Sequence, residues 1–250
     1  MATRTRMRWL TAAAGLVLAV TGIAVTPGAA HAESDGGVRI MPLGDSITDG
    51  LDISGGYRVG LWRRLAVAGY RNDYVGSQFN GPSSLPDHDY EGHPGWRIDQ
   101  IDANIVDWLQ TFAPRSVLLH IGTNDVLNAD AASAPDRLST LIDHITATRP
   151  NTEVFVATII PMGWSEGDAA VQSFNRAIPA IVRSKANNGQ HVHLVDMHSA
   201  LTTADLGEDG VHPTAGGYAK MAAAWYRALR SVPGAAGTRE NPRWIGHRAR

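Results

Sequence analysis

Cysteine is absent from the chain. Disulfides, cysteine-bound zinc and a thiol nucleophile are therefore excluded at the outset. A concentrated basic surface, which nucleic-acid binding needs to neutralise phosphates, is missing too. Beyond the N-terminus, no apolar run is long enough to span a bilayer, which takes roughly 20 residues. No internal repeat and no Ser/Gly-rich linker marks a second domain. What remains is the composition of one ordinary domain, without metal-binding cysteines or a polyanion-binding face.

The N-terminus has a different character. Arg4, Arg6 and Arg8 form a positive region, Trp9 to Val25 is almost wholly apolar or small, and Ala30-His31-Ala32 has a small-x-small form. That layout is a secretory signal peptide. Residues 1–32 are expected to be cleaved, leaving a secreted, extracellular protein that begins near Glu33 and does not associate with membranes. Losing three arginines takes Lys+Arg from 22 to 19 against 24 acids, a net charge of −5. A secreted protein without disulfides must be held by core burial, and a chain of this length can bury enough.

Short apolar runs alternate with longer amphipathic stretches. Val38–Leu43, Asp73–Gly76, Ser116–Ile121, Glu153–Ile159 and His191–Val195 read as strands. Tyr57–Ala68, Ile98–Leu109, Ala134–Thr148, Asp168–Ala186 and Ala215–Leu229 read as helices, with apolar residues at threes and fours. Near-continuous apolar strands alternating with helices predict an α/β fold, a five-stranded parallel sheet with helices on both faces. Residues 76–97 carry little periodicity and read as a long loop. The domain is expected over 33–230. Residues 231–250, with four Arg against one Glu, read as a disordered basic tail.

Ligands of open α/β sheets bind beyond the carboxyl ends of the strands, and three polar clusters fall there. Gly44-Asp45-Ser46 follows strand one. Ser46 is either a nucleophile held on a tight turn or an N-cap, and as a nucleophile it needs a base. Asp209-Gly210-Val211-His212 precedes the last helix. Asp209 and His212 come from one short segment, so the carboxylate can orient the imidazole; the alternative is a capping Asp beside a surface His. Gly122-Thr123-Asn124-Asp125 follows strand three. Its Asn amide suits an oxyanion donor, or the cluster forms an Asx turn.

In order and placement, the three clusters resemble the blocks of the SGNH, or GDSL-type, hydrolase superfamily. The resemblance implies a flavodoxin-like three-layer sandwich. It also implies Ser46 as nucleophile and oxyanion donor, Asn124 as a second donor, His212 as base and Asp209 as its orienter. The superfamily's second block adds a glycine N–H to the oxyanion hole. Gly76, Gly92 and Gly95 lie in the right interval; Gly95, shortly before the helix at Ile98, is the choice, and Gly76 more plausibly ends strand two. Further segments, Ile40-Met41-Pro42-Leu43, Gly55-Gly56-Tyr57-Arg58, Gly92-His93-Pro94-Gly95-Trp96 and His120-Ile121, are similar to secreted family 3 carbohydrate esterases. That implies removal of acetyl groups from xylan-like glycans, or from other small esters, through an acyl-enzyme that requires no metal or cofactor. The alternatives are a lipid-directed esterase or lysophospholipase, and a non-catalytic glycan-binding protein. The polar 76–97 segment argues against the first, and the presence of both Ser46 and His212 against the second. A monomer is expected.

Other conspicuous residues have plainer readings. Asp87, His88 and His93 lie in the long segment as substrate contacts, metal ligands or simply surface groups. His191 and His193 share a strand face and read as packing, and His120 as packing beneath the site. Trp96 reads either as a sugar-stacking platform or as a packing residue, and Trp164 likewise as rim or packing. Asp45 and Asp125 are expected to hydrogen-bond behind the reacting groups.

Overall fold

The computed structural model describes residues 36–127 and 131–239. The expected signal segment lies outside the described residues. In chain order the elements are β1 (Val38–Gly44), α1 (Ser46–Asp49), α2 (Gly56–Val67), β2 (Asn72–Tyr74), β3 (Gln78–Phe79), β4 (Asp89–Gly92), α3 (Ile98–Phe112), β5 (Ser116–His120), α4 (Thr123–Leu127), α5 (Ala134–Thr148), β6 (Glu153–Ala157), α6 (Ser165–Asn187), β7 (Val192–Val195) and α7 (Ala215–Ser231).

Strands β5 and β6 are buried at every position. Successive side chains of a strand point to opposite faces, so each strand feeds two cores. Met41, Val117, Leu119, Val154 and Val156 face one core, which Ile98, Ile101, Ile105 and Leu109 of α3, Leu138 and Ile142 of α5 and Phe174 of α6 complete. Ile40, Leu118, Phe155 and Ala157 face the other, covered by Leu61 and Leu65 of α2 and Tyr218, Met221 and Trp225 of α7. The sandwich therefore has helices on both faces, as expected.

The strand count differs from expectation. The sheet has seven strands in the order β3-β4-β1-β5-β6-β7, with β2 also paired to β1. Strand β2 pairs the first half of β1 (Val38↔Asn72, Ile40↔Tyr74), and β4 pairs its end (Leu43↔Glu91, Gly44↔Gly92). One edge position is thus shared by two short parallel strands, and β3 adds an antiparallel pair to β4. The segment read as a loop over 76–97 holds both additions. Its strands are two and four residues long with a single aromatic each, so no apolar run announced them.

The end of the domain also moves. Beyond α7, Ala235 and Ala236 are buried, the Ser116 hydroxyl donates to the Ala235 carbonyl at 2.8 Å, and Arg239 bridges to Tyr70. The chain is packed to Arg239, not loose from 231; residues 240–250 lie outside the described residues.

Two titratable groups are walled in at the strand ends. Burial pushes the Asp45 carboxyl up to about 7, against the lowering effect of the Ile47 N–H and of His212. Burial pushes the His120 imidazole down to about 4. Their linkages oppose each other. The raised Asp45 favours the folded state at low pH, and that contribution is lost as pH climbs from about 4 to 7. The depressed His120 disfavours folding as pH drops from about 6.5 to 4. The effects are on the order of 4 kcal/mol for Asp45 and on the order of 3 kcal/mol for His120. Relative to wild type, where the two nearly cancel, Asp45→Asn should therefore shift the pH dependence toward loss of stability on acidification across pH 6.5 to 4, and His120→Leu should shift it toward gain. Urea unfolding at several pH values reads both slopes, and parallel curves for all three proteins would refute the assignment.

Candidate active site

Ser46 is the first residue of α1, directly after β1 and Asp45. Asp45 caps the helix, accepting the Ile47 N–H at 3.0 Å. The short helix closes at Gly50 in a left-handed conformation. The Ser46 N–H belongs to the first turn, where helical backbone donors have no partner within the helix. The side chain is only 9% exposed, and its oxygen lies 2.8 Å from His212 Nε2.

His212 stands at the end of a tight loop. The His212 carbonyl accepts the Gly207 N–H at 2.8 Å, and the Gly210 N–H donates to the Gly207 carbonyl at 3.0 Å. Asp209 divides its carboxylate. One oxygen accepts the backbone N–H groups of Val211 and His212 at 2.9 and 3.0 Å, and the other meets His212 Nδ1 at 2.5 Å. Burial raises the Asp209 carboxyl, but the bonds from His212 and from the two backbone donors outweigh it, so the group lies below its ordinary value. It stays ionised at neutral pH and holds the Nδ1 proton, which leaves Nε2 as an acceptor facing Ser46.

The three glycines weighed from the sequence have three different jobs. At Gly76, an added Cβ would sit 2.0 Å from the Tyr90 carbonyl oxygen, so the chain passes β4 too closely for any side chain. Gly92 is in β4, and a Cβ there would meet the Asp49 and Thr48 backbone at 2.8 and 3.1 Å; its smallness seats α1 against the strand. Gly95 is different. It has open space around it and a φ of +80°. The Trp96 N–H donates to the His93 carbonyl at 3.1 Å, so His93-Pro94-Gly95-Trp96 is a turn with proline second and glycine third, the type II signature. The bond that closes such a turn leaves the Gly95 N–H unused.

Asn124, in α4 after β5, donates its amide to the Trp96 carbonyl at 2.9 Å. The turn bearing Gly95 and the side chain of Asn124 are therefore tied together. Asp125 anchors the same region from behind: it accepts the Ile98 N–H at 3.0 Å and pairs with Arg137 at 2.7 Å.

Sequence reasoning did not find what holds the turn. Glu91, wholly buried, accepts the Ser77 N–H at 2.8 Å and the Ser77 hydroxyl at 2.7 Å, and meets His93 Nε2 at 2.6 Å. The His93 ring clusters with Trp96, 4.1 Å away, and Trp108, 5.0 Å away, and the two indoles lie 6.2 Å from each other. Trp96 is thus half-buried in a stack of rings against the core, which favours the packing reading of that residue. A second network ties α1 to the same segment. The buried Arg58 guanidinium lies 3.8 Å over the Tyr90 ring and donates to the Asn80 carbonyl at 3.0 Å, while Asn80 and the Tyr90 hydroxyl both donate to Asp49.

The remaining histidines sort themselves. His191 and His193 both bond to Glu153, at 3.1 and 2.7 Å, at the opposite ends of the strands from Ser46. His88 bonds to the Pro82 carbonyl, and Asp87 accepts the Tyr74 and Asp89 N–H groups. Among the described residues, Asp52, Asp209 and His212 form a group with one ligand-type atom each within 4.8 Å of the others. Both His212 ring nitrogens are already engaged, by Ser46 and by Asp209.

Removing Glu91 would strand buried donors from Ser77 and His93. Glu91→Ala is expected to cost several kcal/mol, since each buried donor left without its acceptor costs about 1 to 3 kcal/mol, with Glu91→Gln intermediate. Chemical denaturation measures it; an Ala variant within 0.5 kcal/mol of wild type would show that this clamp contributes nothing.

Known proteins resemble this chain in sequence and fold. The model of the GDSL-like lipase/acylhydrolase family matches residues 43–220. A solved family 3 carbohydrate esterase from Clostridium thermocellum is 44% identical, with a TM-score of 0.71 over 78% of this chain and 96% of its own. A family 3 carbohydrate esterase from Talaromyces cellulolyticus is 32% identical, with a TM-score of 0.69 over 78% of this chain and 97% of its own. A multidomain esterase of Ruminococcus flavefaciens is 32% identical over 89% of this chain. The chain spans about a third of the length of that protein, and about half of a putative endoglucanase of Acetivibrio thermocellus to which it is 41% identical over 52% of its own length. With a family match that runs from the end of β1 into α7 and takes in the Ser46, Asn124 and His212 clusters, the chain belongs to the GDSL-like lipase/acylhydrolase family.

Proposed function

We propose that the protein is a secreted serine esterase that removes acetyl groups from carbohydrate through an acyl-enzyme. The observation that carries this reading is the unbroken line from the Asp209 carboxylate through both nitrogens of His212 to the Ser46 oxygen. A serine hydroxyl becomes nucleophilic at neutral pH only with such a base, and the base works best when a third group fixes its tautomer.

In the first stage His212 Nε2 takes the Ser46 proton as the oxygen attacks the ester carbonyl. The carbonyl oxygen becomes an oxyanion among the Ser46 N–H, the Gly95 N–H and the Asn124 amide. Its collapse forms the acyl-serine, and the departing alcohol takes the proton back from the imidazole. Water then enters and attacks the acyl carbonyl as His212 takes its proton; the bond to Ser46 breaks, the serine oxygen takes that proton back from the imidazole, and the acid is released. Asp209 stays ionised throughout and stabilises the imidazolium in both stages. The Asn124–Trp96 bond fixes the plane of the carboxamide before substrate arrives, so the donor does not have to reorganise during reaction.

The acetyl-carbohydrate assignment draws on the likeness to solved family 3 carbohydrate esterases and on polar surroundings. Secretion draws on the N-terminal pattern of Arg4 to Ala32; a mature N-terminus at Glu33, read by protein sequencing of the exported product, is the expected result, and an intact Met1 on exported protein would exclude cleavage.

Acetate release from acetylated xylan tests the chemistry. Wild type should release acetate, and Ser46→Ala and His212→Ala should lose a thousandfold or more, on the order of triad deletions elsewhere. Asn124→Ala should lose about a hundredfold or more in kcat. Equal rates for wild type and Ser46→Ala would remove Ser46 as nucleophile. Rapid octanoate or palmitate ester turnover without acetate release would turn the assignment to a lipid-directed esterase, and glycan binding without any turnover to a binding protein.

A further inference from the structure

Of the five described tryptophans, Trp62, Trp96 and Trp108 are half-buried, Trp225 is wholly buried and Trp164 alone is exposed, at 40%. An indole in water is costly, and this one is not on a loose loop. Trp164 occupies the N-cap position of α6, at the carboxyl end of the sheet, in extended conformation. Its carbonyl accepts the Asp168 N–H at 2.9 Å.

The ring lies against two glycines. A Cβ added to Gly167 would fall 2.6 Å from ring atoms Cε2 and Nε1, and one added to Gly210 would fall 3.4 Å from Cε3. Gly210 is the neighbour of Asp209 and two residues from His212. The backbones are equally close: the Gly163 N–H donates to the Gly210 carbonyl at 2.8 Å, and a Cβ on Gly163 would meet Gly210 Cα at 2.8 Å. The indole is therefore packed against the loop that carries the base, with part of its surface open to solvent beside it.

We infer that the exposed surface of Trp164 is a binding platform for a pyranose ring of the substrate, which seats a sugar residue of the glycan next to His212; this rests on the esterase reading above. Two features favour a sugar over an acyl chain. A rigid flat apolar surface matches the C–H face of a pyranose ring, and holding it in place beforehand lowers the ordering cost of binding. The base loop against which it packs carries carboxylates: Asp209, next to Gly210 and with its side chain 45% exposed, and Asp52, within 4.8 Å of the Asp209–His212 pair; Glu166 follows two residues after Trp164 in the chain. Sugar hydroxyls donate to carboxylates, whereas a hydrocarbon chain would strip them of water without replacing it.

The test compares kcat/KM on acetylated xylan with kcat/KM on ethyl acetate, which is too small to need the platform. Trp164→Ala should lower the xylan-to-ethyl-acetate ratio by roughly tenfold, the equivalent of about 1.4 kcal/mol, mostly through KM on xylan. Trp164→Tyr, which keeps a flat ring, should restore most of it. Gly167→Ala, which leaves the indole in place chemically but drives a methyl group into it, should lower the ratio as Trp164→Ala does. If wild type cleaves acetylated xylan and Trp164→Ala keeps the wild-type ratio, the platform is wrong and the esterase reading stands. If wild type cleaves ethyl acetate but not acetylated xylan, the glycan reading fails and the platform with it. A fall in kcat on both substrates without a change in ratio would make Trp164 a support for the His212 loop only, and would also overturn the inference.

Discussion

The end of β1 is the constraint on which the other features rest. At Gly44 the strand is paired to Gly92 on one side and to His120 on the other. The chain can leave the sheet there only upward, and Asp45 turns it at once into α1 by capping Ile47. Ser46 is thereby fixed at the first helical position, with little exposure and little freedom. Everything that acts on Ser46 must come to it, and each partner arrives from the carboxyl end of another strand or from the loop before α7.

That arrangement explains the two buried networks below and beside the site. In the role proposed for Ser46, the four-residue helix that holds it must be braced. Asp49, at its end, receives Asn80 and Tyr90, and Arg58 spans α2 and the 76–92 segment. The turn that bears Gly95, the donor proposed for the oxyanion, needs the same treatment, because a type II turn has little rigidity of its own. Glu91 and the stacked His93 supply it, and the Asn124–Trp96 bond links the turn to α4. Both networks occupy the stretch between β2 and α3. This is why that stretch is long, polar and still well buried: its charged groups are satisfied by one another rather than by water.

The main architecture was legible because its signals are local. Apolar runs marked β1, β5, β6 and β7 and the short Asp73–Gly76 stretch marked β2, apolar residues at threes and fours marked the five longer helices, and α5 lies at its expected bounds. Ser46, Asn124 and the Asp209–His212 unit were legible as short motifs at strand ends. Strands β3 and β4 were not, since two to four residues such as Gln78-Phe79 and Asp89-Tyr90-Glu91-Gly92 are too short for an apolar pattern to stand out, and their pairing is decided by partners elsewhere in the fold, β1 for β4 and β4 for β3. The Glu91–His93 clamp was hidden for a related reason. A glutamate in a polar segment looks like a surface group until the fold encloses it. Gly95 had a readable signal in Pro94-Gly95, a turn dipeptide, whereas the crowding at Gly76 and Gly92 depends on the strands and helix that pass them. Trp164 shows the same limit, since nothing near it in sequence reveals that Gly210 lies under its ring.

The central claim is that Ser46 is a nucleophile activated by His212, and covalent labelling tests it most directly. Treatment with a phosphonyl fluoride followed by peptide mass spectrometry should place a single adduct on the peptide bearing Ser46, with labelling strongly slowed in His212→Ala. An adduct on a different residue, or labelling of Ser46 at an unchanged rate without His212, would contradict the account.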